Sequence, residues 1–336
     1  MSARQSIIPV FVPHLGCPND CVFCNQRRIS GMPEPATKET VVNAIEKAAA
    51  LTPMGTKRQL AFYGGSFTAI PACEQEALLA AAKPYLDSGV ISSIRLSTRP
   101  DAIDDVVLER LGKYGVRTVE LGAQSLDDNV LYLSGRGHTA KEVEDASHLI
   151  KENGFNLILQ MMTGLPGDSE ASSIETAKRI IALKPDGVRI YPTVIVRDTE
   201  LFDMLQRGDY TEHSVEDAVS VCSKLVPLFE EAEIPIIRMG LNPTDELSGG
   251  SAVGGAYHPA LGEMVHSRIM RNKAESLIEN ADGKDLVLGV KNSDISKMTG
   301  QHRCNIEYLS DKFGLKSLKI KAANVEKGEI VILSLD

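Results

Sequence analysis

The sequence predicts an α/β fold: a partial (β/α)6 barrel of the TIM type over residues 1–235, and a small α/β domain over residues 285–336. Three observations lead there. Short apolar runs alternate with amphipathic helical stretches, as in βαβ units built around a parallel sheet. The six units lack a dinucleotide-binding fingerprint, which favours a barrel over a doubly wound sheet. Glycine or proline follows soon after most strands, at Pro13, Gly64, Pro100, Gly122, Gly164 and Pro192, marking the rim where a barrel carries its chemistry.

The elements follow in order. The first strand, IIPVFV (7–12), leads to a helix from Val41, and QLAFY (59–63) precedes EQEALLAAAKPYL. SSIRLS (92–97) precedes DDVVLERLGKY, and VRTVEL (116–121) precedes AKEVEDASHLIKENG. NLILQMM (156–162) leads into SSIETAKRIIAL, and DGVRIY (186–191) closes the series. Beyond Pro192 a helix at about 214–232 and a strand, IPIIRM (234–239), come before a long Gly-rich loop (244–262). Residues 236–284 therefore read as a connector of loop and helix, with the loop containing His258 as a lid over the barrel mouth. From Asp285 the order is strand, short helix, helix, strand, strand.

Composition narrows the class. With 43% hydrophobic and 24% charged residues the chain is an ordinary globular protein. No apolar run reaches the roughly 18 residues of a membrane span, and prolines interrupt the N-terminal stretch before it resembles a signal peptide. The expectation is a cytoplasmic protein with no membrane partner. A net charge of −9 disfavours a chain that coats nucleic acid over its whole surface, and the lack of tryptophan limits base-stacking platforms.

The six cysteines carry the strongest signal. Cys17, Cys21 and Cys24 crowd into VPHLGCPNDCVFCNQR after the first strand, while Cys73, Cys222 and Cys304 are scattered. A secreted disulfide framework would spread its pairs, so clustered thiols indicate a metal or cluster site. Soft thiolates suit zinc or an iron–sulfur cluster. A closed zinc site needs a fourth ligand, which His14 would supply. A four-iron cube held by three cysteines instead leaves one iron open.

The Cys-x3-Cys-x2-Cys loop, with Phe23 before its last cysteine, resembles the signature of the radical S-adenosylmethionine (SAM) superfamily. FYGGSFT, STRPD, ELGAQS, RGHT, GLPGD and the stretch 185–210 are similar, in order and spacing, to the radical SAM domain of the Elongator catalytic subunit. The resemblance implies a [4Fe–4S] cluster on Cys17, Cys21 and Cys24 whose open iron binds SAM. It also implies an electron donor such as flavodoxin or ferredoxin, and cleavage of SAM to a 5′-deoxyadenosyl radical that takes hydrogen from a substrate. That substrate, and the residues that would donate or accept hydrogen, are not named by it. Phe23, Gly64, Gly65 and Ser66 match positions around the cofactor. Gln124 and Arg136 match residues around its ribose and carboxylate, and Tyr191 and Pro192 the backbone near its adenine. Ser97 and Gln160 stand where relatives often carry a charged or imidazole side chain. His138 reads as a cap or an acid–base group, and Arg189 as an anion contact or a structural ion pair.

The same resemblance marks differences. With Cys17 near the start and about 100 residues after the barrel, neither a basic extension nor an acetyltransferase domain is expected, nor the complete wobble-uridine carboxymethylation that needs them. Asn25 stands where the coproporphyrinogen dehydrogenase branch carries a fourth cysteine. In the tail, eight Lys or Arg face seven Asp or Glu, so the rest of the chain is the acidic part. The stretch from Ile295 to Ala322 resembles a degenerate KH module with Gly300-Gln301-His302-Arg303 in place of the GXXG loop that clamps nucleotide backbone. It leaves open RNA binding, hence RNA (tRNA) modification, or a purely structural cap. A non-catalytic carrier of cluster, cofactor or haem on the same barrel is the remaining alternative.

Overall fold

The computed structural model describes residues 5–12, 21–25, 36–53, 55–242, 247–278 and 284–336. The main sheet holds β1 (Gln5–Val12), β2 (Lys57–Gly64), β3 (Ser93–Thr98), β4 (Val116–Gln124), β5 (Asn156–Thr163) and β6 (Gly187–Pro192), paired in that order and all parallel. β7 (Val194–Val196) leaves the sheet, and β8 (Ile236–Met239) returns to pair with β6. The six expected units are present, and β8 adds a seventh strand. The sequence reading assigned that strand to the connector. It joins the sheet because β6 has an open edge: Val188 N donates to Pro235 O at 3.0 Å and opens a parallel register.

The sheet is curled, and one hydrogen bond measures how far. Arg189 on β6 donates from Nη2 to the Tyr63 hydroxyl on β2 at 3.0 Å. Four strand spacings separate these strands in a flat sheet, roughly 19 Å. Only a half-barrel brings their luminal side chains together.

Helices cover the outer face: α1 (Lys38–Leu51), α2 (Ala72–Asp87), α3 (Asp105–Lys113), α4 (Asp128–Leu133), α5 (Ala140–Glu152) and α6 (Glu170–Ala182). Local chemistry sets their starts. The Asp104 side chain accepts from Val107 N at 2.7 Å, and Thr139 with Glu142 forms a reciprocal capping box at the head of α5. Alternation sorts the strand residues. In β2, Leu60 and Phe62 are buried on one face, while Gln59 and Tyr63 face the lumen and bond there. Two further helices follow, α7 (Glu200–Arg207) and α8 (Val215–Glu231), and β7 forms an antiparallel ribbon with β9 (Ala252–Gly255).

The chain divides into two compact units, Met1–Ser214 with Leu228–Tyr257, and Val215–Pro227 with His258–Asp336. The second holds α9 (Leu261–Leu277), β10 (Asp285–Val290), α10 (Ile295–Thr299), α11 (Cys304–Phe313), β11 (Ser317–Ala322) and β12 (Ile330–Leu335). Its β10 lies between a parallel β11 and an antiparallel β12. Leu286, Leu288 and Val290 pack against Met298, Ile306 and Leu309 to form its core. The turn between α10 and α11 is Gly300–Arg303, where the sequence predicts it, with His302 and Arg303 at positive φ.

Gly164, just past β5, illustrates how tightly the rim is built. Its φ is +74°, and a Cβ there would lie 2.1 Å from the His213 ring. Gly164→Ala combines left-handed strain with a collision against an aromatic ring. It is expected to cost about 2–4 kcal/mol in urea unfolding. A loss below about 0.5 kcal/mol would mean that His213 swings away freely.

Candidate functional site

The carboxyl ends of β2, β3 and β4 meet around the cysteine loop. Cys17 and His14 lie outside the described residues. Cys21 and Cys24 are described, and neither is in a disulfide. Cys24 N donates to Cys21 O at 2.9 Å, so the segment turns tightly between the two thiols. Its backbone is held from both sides: Val22 N donates to Ser134 O at 3.1 Å, and Leu201 N donates to Val22 O at 2.7 Å. Val22 and Phe23 pack against Ile195, Leu201 and Tyr210. Phe23 is thus half-buried in apolar contact, which anchors the loop.

Arg136 binds this loop to the barrel. Its Nη1 donates to Cys21 Sγ at 3.3 Å and its Nη2 to Gly122 O at 2.7 Å. The Arg136 carbonyl accepts from Arg99 Nη2 at 2.8 Å, and Arg99 in turn makes a two-point ion pair with Asp101. Gly122 is a cradle: a Cβ there would fall 3.1 Å from Gln124 Nε2 and 3.3 Å from Arg136 Nη2. Gln124 holds a positive φ of 65°, uncommon for a residue with a side chain, and its buried Oε1 has no partner among the described residues. Strain and an unsatisfied acceptor at one rim position are features of a site awaiting a polar ligand.

Not every predicted residue offers its side chain. Gly64 has a φ of +105° and ends β2, leading through Gly65 to Ser66. Ser66 is buried, and its hydroxyl is already engaged with Thr98 Oγ1 at 2.9 Å and with Arg99 N at 3.2 Å. It ties the end of β2 to that of β3. Pro192 is buried, and Tyr191 stands beside Arg189, with burial raising its phenol pKa first of all. His138 is buried, with Nε2 at 3.3 Å from Ala123 O and Nδ1 without a partner among the described residues. His258 is a turn residue, its Nδ1 accepting from Ala260 N at 3.1 Å.

Three luminal residues, Tyr63, Arg95 and Glu120, escaped the sequence reading, and they join Gln160 and Arg189 in one network. Glu120, wholly buried, accepts from Arg95 Nη1 (2.8 Å), Arg189 Nε (2.8 Å), Tyr63 OH (3.0 Å) and Gln160 Nε2 (3.0 Å). Arg189 is therefore in an ion pair, the structural option left open from sequence. Gln160 belongs to the same network and lies 3.5 Å from Ser97 Oγ. Burial, followed by the Glu120 charge, pushes the Tyr63 phenol up to about 12. The signal was present as polar residues inside the apolar runs, among them Gln59, Arg95, Glu120, Gln160 and Arg189.

An α/β half-barrel with a thiol-bearing loop after its first strand and a polar rim above a charged lumen is a cofactor-binding class of protein. A Radical SAM superfamily model matches residues 11–180, and a Radical_SAM C-terminal domain model matches residues 185–271. The chain belongs to the radical SAM superfamily. The tRNA uridine(34) acetyltransferase of Methanocaldococcus jannaschii is 33% identical over 131 residues, 38% of this chain and 24% of that protein. Human Elongator complex protein 3 is 33% identical over 138 residues, 40% of this chain and 25% of its own length. The match thus spans about a quarter of each relative. The structure of Methanocaldococcus infernus Elp3 lacking its N-terminus superposes with a TM-score of 0.64 at 22% identity, over 82% of this chain and 64% of that one. That likeness is one of fold. No helix among the described residues is long and apolar enough to cross a membrane.

Two predictions follow from the charges. Glu120→Gln leaves two buried guanidiniums without their carboxylate and is expected to cost about 3–5 kcal/mol in chemical unfolding. In the same variant the Tyr63 ultraviolet titration falls below about 12, because the raising effect of the Glu120 charge is gone. An unchanged titration would mean that burial alone sets it. His138 is held down to about 4, by burial first and then by Arg136. The unfolded chain binds this proton at the ordinary imidazole value of 6.5, so the contribution of His138 is complete above that pH and is lost as pH falls towards 4. His138→Gln therefore loses less stability than the wild type between pH 6.5 and about 4, as read from urea midpoints.

Proposed function

We propose that the chain is a radical SAM enzyme in which Cys17, Cys21 and Cys24 hold a [4Fe–4S] cluster. The observation that supports it most is the link from the Cys21 thiol through the Arg136 guanidinium to Gly122 O, beside Gln124, whose buried Oε1 has no partner among the described residues. The residues fit the group: soft thiolates are the donors such a cluster takes, and a glycine cradle beside an open acceptor suits a polar cofactor. When bound, the cluster and SAM supply reductive cleavage to a 5′-deoxyadenosyl radical. The protein's own part is binding, orientation and exclusion of water. Arg136 steadies Cys21 and brings a positive charge to the rim, suited to the carboxylate of SAM. Gln124 Oε1 accepts from a ribose hydroxyl. Gly64 and Gly65 let the cofactor approach backbone, Ser66 and Ser97 fix the strand ends beneath it, and Gln160, Tyr191 and Pro192 close the lumen wall. The electron comes from a small redox protein such as flavodoxin or ferredoxin.

Anaerobically reconstituted protein is expected to hold about four irons per chain. With dithionite and SAM it should form 5′-deoxyadenosine, and Cys21→Ala should lose both iron and product. Stoichiometric zinc in place of iron would overturn this reading. A loaded cluster without 5′-deoxyadenosine would favour a carrier of cluster, cofactor or haem.

RNA as the substrate is a second reading, supported by the relatives named for tRNA uridine(34) and by the module over residues 285–336. Lys319 and Lys321 are exposed on β11, as are His302 and Arg303 at the turn between α10 and α11. Binding to tRNA should weaken steeply with salt, with a shallower slope after Lys319→Gln and Lys321→Gln. Binding that ignores salt or these lysines would count against the module.

A further inference from the structure

On the described strands, the luminal side chains of the central barrel carry more positive than negative charge. Arg95 and Arg189 flank Glu120, and each of the three is at least nine-tenths buried. Arg238 on β8 pairs with Arg189 just past a bulge in the β6–β8 register, and its charge acts on Tyr191, which shares the luminal face of β6 with Arg189. Its Nε donates to Gly240 O at 3.0 Å and its Nη2 to Leu241 O at 3.2 Å, both neutral carbonyls at the carboxyl end of the strand. Three guanidiniums thus share one carboxylate on the luminal faces of the described strands. Arg238 is partly buried, and where its guanidinium loses water a carbonyl supplies only a dipole, not a counter-charge. A planar fork of N–H donors matches a carboxylate or phosphate better than any neutral group.

We propose that the half-barrel takes a substrate bearing an oxyanion, a carboxylate or a phosphate, and seats it in the lumen against Arg238 and the Arg189–Glu120–Arg95 array. This rests on the reading of the lumen as the substrate chamber of a radical SAM enzyme. Glu120 holds the two inner guanidiniums in fixed orientation, the Tyr63 hydroxyl bonds into the same array, and Tyr191 stands beside Arg189. Arg238 provides the charge that no side chain on the described strands neutralises.

The test uses the anaerobically reconstituted full chain with saturating SAM. Its thermal midpoint is followed against acetate and against inorganic phosphate, with ionic strength held constant by chloride. A saturable rise is expected with one of the two, and the tighter probe identifies the group as carboxylate or phosphate. Arg238→Gln should weaken the apparent affinity about tenfold, the scale of one hydrogen bond to a charged group, and Arg238→Lys should keep most of it. No saturable rise in the wild type, or an equal rise in Arg238→Gln, overturns the proposal. A response seen without SAM and abolished by it overturns it as well, because the charge would then serve the cofactor. Formation of 5′-deoxyadenosine is measured in parallel. Its absence beside an Arg238-dependent anion response removes the radical reading and leaves the anion site. Its presence without that response does the reverse.

Discussion

Glu120 is the constraint around which the half-barrel closes. A single buried carboxylate on β4 gathers donors from β2, β3, β5 and β6, and those strands meet around one point only if the sheet bends. Apolar packing of helices on the outer face would also be satisfied by a flatter sheet. The ionic network would not, because two guanidiniums in a low-dielectric interior lose several kcal/mol each when their partner moves away. Curvature and charge are therefore a single feature, and the residues with the fewest alternatives lie on the luminal face.

The rim follows from that curvature. Once β2, β3 and β4 converge, Thr98 and Arg99 N can both reach the Ser66 hydroxyl, and Arg136 can span from Gly122 O to the Cys21 sulfur. Each contact joins segments far apart in sequence. The segment Cys21–Asn25 is held by backbone bonds at Val22 and by the packing of Val22 and Phe23. Its geometry is imposed by its surroundings.

Much of this was legible from residues alone. Apolar runs of strand length, amphipathic helical stretches between them and clustered thiols each have a local physical cause, so the βα units and the loop of Cys21 and Cys24 could be found without coordinates. The lumen could not. Arg95 and Glu120 read individually as interruptions of apolar strands, and only strand register shows them at one depth with Gln160 and Arg189. β8 was placed outside the barrel for a similar reason: membership of a sheet depends on which edge is open, and no window of sequence holds that information. Ser66 shows the opposite limit, a residue found by its motif whose hydroxyl turns out to bond inward.

The bond between Arg136 and Cys21 also has a consequence in time. Its partners stand 115 residues apart. At about 5–20 residues per second, the ribosome delivers the cysteine loop roughly 6–23 s before the arginine that steadies it. Through that interval the thiols belong to a nascent chain without a barrel and are open to oxidation or to stray metal ions. A cell that makes this protein therefore gains from keeping the emerging segment reduced, and on the proposed reading any cluster would be inserted after translation of the half-barrel.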